Sequence, residues 1–564
     1  MNQTQVGIIL QEINDDLQKG TQEKAVIDKL LNLVESLASE NARLIALVQQ
    51  LNNEINRLKG EQGQPEFPQK NKTSGDISSE NERKEAEGRK SKGKNEPRNR
   101  QPKQSKIKID REVICPVDKK ELPPDAFFKG YKDEVVQDII IKTENVKYRR
   151  EVYESKSQKK YYYGQLPKEV FGKGEFGPGI RTLIPILKSE CNMSEPKIKD
   201  FFENFGVEIS KTYISSFWTG KQEIFHREKE EIFSEGLENG SYQQIDDTSG
   251  KGHYVNHHVQ IVCNDNYSAY FTTAKKDRLS IIDVLTNFAP RRFLYNQKTL
   301  DLLRQMRVSE KLLTTVEETL EIDQIYFEKS INEQLDRIKL GPQQRIRIDD
   351  ACAITAYQCQ TDYPVVHCLV SDDAPQFKLL TEEHGLCWVH DGRHYKKLKP
   401  VVPQFQEKLE EFRGQYWDYY AELHKYKENP KPDEAERLQK EFDRLFQTQT
   451  GYAELDDRIA KSGTKKDELL LVLQRPELPL HNNAAELAAR SQARSRDVSL
   501  QTKSVAGTKA KDTYRYHNSD LQKLGVRVYD YVYDRVCGSM KLPSLADLIR
   551  QKSNFKNPAS PCGP

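Results

Sequence analysis

Two aspartate pairs and one glutamate are the side chains best placed to do chemistry. Asp246 and Asp247 close the strand-like run YQQIDDTSG. Asp372 and Asp373 close the β-rich run YPVVHCLVSDDAPQF. Glu486 sits in HNNAAELAAR, residues 481–490, with Asn482 and Asn483 before it and Arg490 one helical turn after it. Aspartates from adjacent central strands and a glutamate from a helix laid against them can meet at one point. Three carboxylates there repel one another unless a cation neutralises them, and hard oxygen ligands suit Mg²⁺ or Mn²⁺. Two such ions about 4 Å apart clamp the attacking and leaving oxygens of an in-line phosphoryl displacement. Neighbouring strand residues point to opposite faces, so at most one aspartate of each pair reaches the metals. The alanines around Glu486 let its helix approach a sheet closely, and the two asparagines can cap its first turn. The plain alternative is a solvated Glu486–Arg490 pair worth about 0.2–0.5 kcal/mol.

Positioning such a site takes a larger architecture, and 564 residues allow three or four domains. The apolar fraction is 36% and the charged fraction 31%, so part of the chain is solvated linker or exposed helix. The net charge of +2 says nothing about partners, whereas its distribution does. Residues 89–108, with Arg98 and Arg100 among their cations, hold one acid, Glu96; they read as a basic arm for a phosphate backbone or as a solubilising linker. The nine cysteines are scattered, without a CxxC pair, which points to reduced thiols. No apolar run approaches the ~20 residues of a membrane span, and the N-terminus lacks a signal peptide's apolar core. The expectation is a soluble, cytoplasmic protein.

Along the chain, Leu30, Leu37, Leu44, Leu51 and Leu58 recur every seven residues. Ile27, Val34, Asn41, Val48 and Ile55 precede them by three. β-Branched residues at a, leucine at d and one asparagine at a predict a parallel two-stranded coiled coil over 22–60, with Glu54 and Lys59 as a g-to-e′ pair. Apolar flanking positions leave a larger bundle open. Residues 61–110 read as a disordered basic linker. Residues 111–165 read as a small β-rich module, with REVYESKSQKKYYY as two strands about a polar turn. Over 166–235, Ser194 and Ser210 are N-caps and Gly206 a helix stop. The result suits a helix-turn-helix with Lys211 and Thr212 entering a major groove, the alternative being a helical connector. Residues 240–515 alternate strands and helices, with helical insertions at 279–342 and 401–475. GLCWVHDGRHY reads as a strand leading to His390 and Arg393. Residues 516–564 read as a tail.

SDDAPQF, CWVHDGRHY and NNAAE, in that order after IDDT, resemble the transposases of the insertion sequence 66 family. The resemblance covers about 165–520 and implies a DDE catalytic core on a ribonuclease-H-like fold, a mixed sheet with helices. The whole chain is then a multidomain α/β protein with an N-terminal coiled coil and a helix-turn-helix region. Matched residue by residue, the resemblance implies Asp246, Asp372 and Glu486 as catalytic, metal-binding acids, with two Mg²⁺ or Mn²⁺ ions. Asp247 and Asp373 are the alternatives to the aspartates. Cys387 and His390 match a Cys-x-x-His element; with Arg393, Asn482, Asn483 and Arg490 they are expected around the site. Arg98, Arg100, Lys211 and Thr212 are the expected DNA contacts. The family's cysteine-rich zinc module is reduced here to Cys115, so no zinc site is expected. Where the family carries paired arginines after Cys-x-x-His, this chain has Gly392-Arg393.

The resemblance implies cleavage of a phosphodiester at an element's end and transfer of the 3′-hydroxyl into target DNA. Implied partners are double-stranded DNA, a second copy of the chain and accessory transposition proteins, with no membrane. The rival readings are a domesticated, catalytically silent DNA-binding protein and a zipper-based scaffold.

Overall fold

The computed structural model describes residues 23–58, 109–118, 122–123, 125–167, 176–220, 222–252, 255–499 and 501–556. The basic run with Arg98 and Arg100, and Lys59, lie outside the described residues.

Helix α1, Glu23–Leu58, covers the heptad region. Its a and d side chains face outward, from 41% exposed at Leu30 to 77% at Leu58. The opposite face is used within the molecule. Val26 and Leu33 are buried. The buried Glu35 carboxylate accepts the N–H groups of Val401 (2.8 Å) and Val402 (2.9 Å). Asn32 donates to the Gly451 carbonyl at 2.7 Å and accepts from the Ala453 N–H at 2.8 Å. The flanking apolar position Leu31 packs against the core of the 401–475 region.

Of residues 111–165, the regular part is one exposed hairpin, β1 (Val152–Ser155) with β2 (Lys160–Tyr163), as the YESKSQKKYYY pattern predicts. Three short helices follow: α2 (Pro178–Ser189), α3 (Glu195–Glu203) and α4 (Lys211–Thr219). Pro185 lies inside α2. The Ser210 hydroxyl accepts the Tyr213 N–H at 3.0 Å, and Gly206 takes the positive φ of 73° that closes the α3 turn without a Cβ penalty. Ile184, Ile198, Phe202 and Ile214 form their shared core. Helix α5, Glu223–Glu238, leads into the sheet.

That sheet has five strands in the order β5-β4-β3-β8-β9: β3 (Gln243–Gly252), β4 (Val255–Cys263), β5 (Ser268–Thr273), β8 (Cys368–Ser371) and β9 (Glu383–Leu386). The first three form an antiparallel meander, and β8 and β9 add in parallel beside β3. Between β5 and β8 come α6 (Arg278–Leu285), β6 (Arg292–Tyr295), α7 (Gln297–Gln305), α8 (Glu310–Glu317), β7 (Gln324–Phe327), α9 (Glu328–Leu335) and α10 (Pro342–Cys359). The 279–342 insertion is thus not purely helical: β6 and β7 make a small antiparallel ribbon.

GLCWVHDGRHY is corrected. Strand β9 stops at Leu386, and α11 spans Trp388–Lys397, so His390 and Arg393 stand one turn apart on a helix. The helical spacing of the buried Trp388, Asp391, Gly392 and Tyr395 overrides the apolar Leu-Cys-Trp-Val run, whose length suits either element. Helices α12 (Pro403–Glu428), α13 (Pro432–Phe446) and α14 (Ala453–Gly463), with short turns Lys466–Leu469 and Leu471–Gln474, form a lobe with its own aromatic core. Helix α15, Asn483–Val498, then crosses β3.

Residues 516–556 also depart from expectation. Helices α16 (Val505–Leu524), α17 (Val528–Val536) and α18 (Leu545–Lys556) pack into the main core instead of trailing as a tail. Tyr516, Leu521, Tyr531 and Ile549 are at most 1% exposed. Fully burying such apolar side chains is worth about 1.5–3 kcal/mol each. Among the described residues no helix is long and apolar enough to cross a membrane.

Candidate active site

The register of the two central strands sets the positions of the aspartates. Strand β3 pairs with β8 through Gln243↔Leu369 and Gln244↔Val370, and the pairing stops there. Asp246 lies two residues beyond Gln244 and Asp372 two beyond Val370. Strand side chains alternate with a period of two, so these carboxylates leave the sheet in step, where the strands part. The acid pair is not at the end of β3, which runs on to Gly252 paired with β4.

Burial pushes the Asp246 carboxyl well up, and the charges of Asp372 and Glu486 push it further. Its Oδ1 accepts the Asp247 N–H at 2.8 Å. Asp372 is also raised, first by burial and then by Asp247, against a 3.1 Å hydrogen bond from the Ala374 N–H. Asp246 and Asp247 therefore both act on Asp372. The alternates differ in their partners. Asp247 lies 3.6 Å from Lys276 and 3.8 Å from His258. Asp373 binds Lys378 and Lys465, each at 2.6 Å; burial pushes its carboxyl up, but these lysines hold it below the usual range. Asp373 is thus already neutralised, whereas Asp246 and Asp372 are acids short of positive charge.

Glu486 is 1% exposed, in the first turn of α15. Its carboxylate faces α11, with His390 Nδ1 at 3.5 Å and Arg393 Nη2 at 3.6 Å. Arg393 Nη1 donates to His390 Nε2 at 3.2 Å. Burial, then the charge of Arg393, holds His390 down to about 3, so the ring is neutral near pH 7. The imidazole has its Nε2 occupied as an acceptor, which leaves Nδ1–H toward Glu486. Arg490 follows on the same helix, half-buried.

The asparagines do something other than the expected capping. Asn482 is the N-cap residue by position, but its side chain makes no cap. Instead Nδ2 donates to the Ile245 carbonyl at 2.7 Å, the residue before Asp246. Its own N–H donates to Cys387 Sγ at 3.2 Å. Asn482 thus ties the start of α15 both to β3 and to the N-cap of α11. The Asn483 N–H reaches His481 Nδ1 at 3.4 Å. Cys387 is buried, and burial with the nearby Glu486 charge pushes its thiol up to about 12.

Ligand atoms of Cys387, His390 and Glu486 lie within 4.8 Å of one another. Among the described residues Asp246, Asp372 and Glu486 do not form a group at that spacing, although their charges act on one another.

Residues that local pattern did not single out brace this site. Asp391 is buried, accepts the Ser462 hydroxyl at 2.7 Å and pairs with Arg458. Lys465 joins Asp373 (2.6 Å) and Asp391 (3.5 Å). These contacts fasten the helical lobe to both sides of the site, and no short-range signal announces partners so distant in sequence. Gly392 also gains a reason. A Cβ there would meet the Trp417 ring at 2.9 Å, so a larger residue cannot fit the α11–α12 contact unchanged. Lys211 and Thr212 stand exposed in the first turn of α4.

A family model described as "Transposase IS66 family" matches residues 364–510, which span Asp372, Cys387, His390, Asn482 and Glu486. The uncharacterized protein y4jO of Sinorhizobium fredii (strain NBRC 101917 / NGR234) is 31% identical over 322 residues, which are 56% of this chain and 99% of that protein. No solved structure matches the chain. The family match over this core places the chain among the IS66 family of transposases.

Proposed function

We propose that the chain is a DNA transposase of the DDE type, cutting a phosphodiester at an element's end and joining the freed 3′-hydroxyl to target DNA. The observation that carries the reading is the Asp246–Asp372 pair, two half-buried acids in step at the mouth of adjacent parallel strands, with Glu486 acting on Asp246 from a helix laid against β3. Burial, and then neighbouring carboxylate charge, raises Asp246 and Asp372, and the donor set is all hard oxygen, which fits Mg²⁺ or Mn²⁺. When bound, such cations supply charge neutralisation to the phosphoryl transfer and acidify water.

The chain's own residues prepare that chemistry. Asp246 and Asp372 hold the cations on the sheet. Asn482 fixes α15 against β3, which sets the distance of Glu486 from Asp246. Neutral His390 and charged Arg393 orient the Glu486 carboxylate, and Arg393 offers a positive edge to a DNA phosphate. Cys387 is a packing and N–H-accepting group, its buried protonated thiol being a poor metal ligand.

The remaining domains take supporting roles. Residues 22–60 form a zipper between two protomers, supported by the open a/d stripe of α1. Residues 166–235 form a helix-turn-helix that reads element ends through Lys211 and Thr212, supported by their exposure at the head of α4. The 61–110 arm, with Arg98 and Arg100, adds sequence-blind phosphate contacts. Residues 240–515 are the ribonuclease-H-like core, and 111–165 is a hairpin module without a zinc role.

The test is cleavage of a duplex carrying the element's ends in Mg²⁺. Wild type nicks it; Asp372→Asn and Glu486→Gln bind it with unchanged affinity and lose about 10²–10³-fold in rate, the scale of removing one preorganised charge-stabilising group. Cleavage that survives both substitutions would exclude the reading.

A further inference from the structure

A pocket of about 290 Å³ lies between α3–α4 on one side and α15–α16 on the other. Its walls carry Lys188, Lys503, Lys511 and Arg515 against one carboxylate, Glu195. Lys188 is paired with Glu195 at 3.0 Å, so three cations remain. Arg515 is 6% exposed, and its Nε and Nη1 atoms are buried without a hydrogen-bond partner. Lys511 stands one turn before it on α16. Burial, then the charge of Arg515, holds Lys511 down to about 8. The buried acid Asp512 offsets part of this charge, acting on both Lys511 and Arg515, but it is shared with Lys229 and also accepts the Thr272 N–H at 2.9 Å and its hydroxyl at 3.0 Å.

Cations gathered and half-desolvated in excess of the carboxylates beside them are unfavourable, and a bound anion relieves the cost. The rest of the lining suits a tetrahedral oxyanion. It is rich in Ser and Thr hydroxyls, among them Ser215, Thr219 and Ser504. Helix α16 begins there, with Ser504 accepting the Gly507 N–H at 3.0 Å, so its partial positive end faces the same space.

We infer that this pocket is a phosphate-binding site distinct from the candidate active site. Phosphate chemistry has two sources: a backbone phosphate of bound DNA, or free phosphate including that of a nucleotide. The placement gives the site a consequence in either case. Helix α4 begins at Lys211 and ends in the pocket; helix α15 begins beside Glu486 and ends there too, through Ser495 and Ser499. An anion held between them fastens the helical unit α2–α4 to the helix that carries Glu486. The pocket does not depend on the transposase reading; only the DNA source does.

The experiment compares full-length wild type with Lys503→Gln and with the double variant Lys503→Gln/Lys511→Gln. Lys503 is exposed, so the single variant keeps its wild-type melting temperature in chloride and isolates the ligand response from folding. Inorganic phosphate at ~10 mM, against chloride of equal ionic strength, raises the wild-type Tm by about 2 °C; the rise shrinks in the single variant and vanishes in the double one. In a parallel arm with duplex DNA, a fall of ~1 in the slope of log affinity against log salt in the double variant identifies a DNA phosphate as the source. An unchanged slope with a lost phosphate response identifies free phosphate, and the site stands. If wild type shows no shift beyond chloride, or the double variant shifts equally, the inference is overturned, whatever DNA does.

Discussion

Asn482 concentrates much of the candidate site in one side chain. Its amide bonds the carbonyl next to Asp246, and its backbone N–H bonds Cys387, so one residue references three elements. Replacing it by alanine strands a buried carbonyl, at a cost of about 1–3 kcal/mol, and lets α15 shift. Asn482→Ala is expected to lower the unfolding free energy read from urea titration by that amount and to slow Mg²⁺-dependent cleavage at least tenfold; an active variant with the same loss of stability would show that Glu486 is positioned otherwise. Gly392 is the second residue of this kind. A methyl group at 2.9 Å from Trp417 forces α11 and α12 apart. Gly392→Ala is expected to cost about 1–3 kcal/mol, seen as a lower midpoint with unchanged slope.

Helix α5 shows how an element is locked by buried charge. Glu228 pairs with Arg535 at 2.5 Å and lies 3.4 Å from His517, joining α5 to α17 and α16. Arg535→Ala leaves Glu228 uncompensated, and a loss of about 3–5 kcal/mol is expected in equilibrium unfolding. The same helix carries a pH dependence. His226 Nδ1 lies 2.8 Å from the Thr513 hydroxyl, and burial, then Lys509, holds the ring down to about 4 from 6.5. Between these values the unfolded chain binds a proton that the folded chain refuses, so stability rises with pH. The contribution is complete above about 6.5 and is lost as pH falls toward 4. A urea midpoint followed from pH 7.5 to 5 should fall less steeply in His226→Gln than in wild type; parallel curves would remove His226 as the cause.

At the scale of the molecule, α1 has two faces with two destinations. One, with Asn32 and Glu35, is fastened to the helical lobe, and that lobe is fastened to the candidate active site through Lys465 and Arg458. The other, with its a and d leucines, is open. A second copy on the open face would thereby be rigidly referenced to the proposed catalytic acids. Leu37→Glu/Leu44→Glu is expected to turn a dimer into a monomer by light scattering while leaving the melting of the core unchanged. A dimer that persists would move the interface away from the zipper.

What was legible beforehand was whatever repeats or punctuates at short range. Heptads, the Ser210 cap, the Gly206 stop, the β1–β2 turn and the acids flanking apolar runs all depend on neighbours within a few residues, so their spacing alone determined them. The helix carrying His390 was misread because a short apolar run fits strand or helix equally until packing decides. The C-terminal helices looked like a tail because their tyrosines and charges, polar by composition, become a core only against α5 and the sheet. Tertiary structure alone decided that Asn482 straps rather than caps, that Asp373 is already taken by Lys378 and Lys465, and that Gly392 belongs to Trp417. Each depends on partners brought together by chain folding, and no local pattern encodes which distant group will arrive.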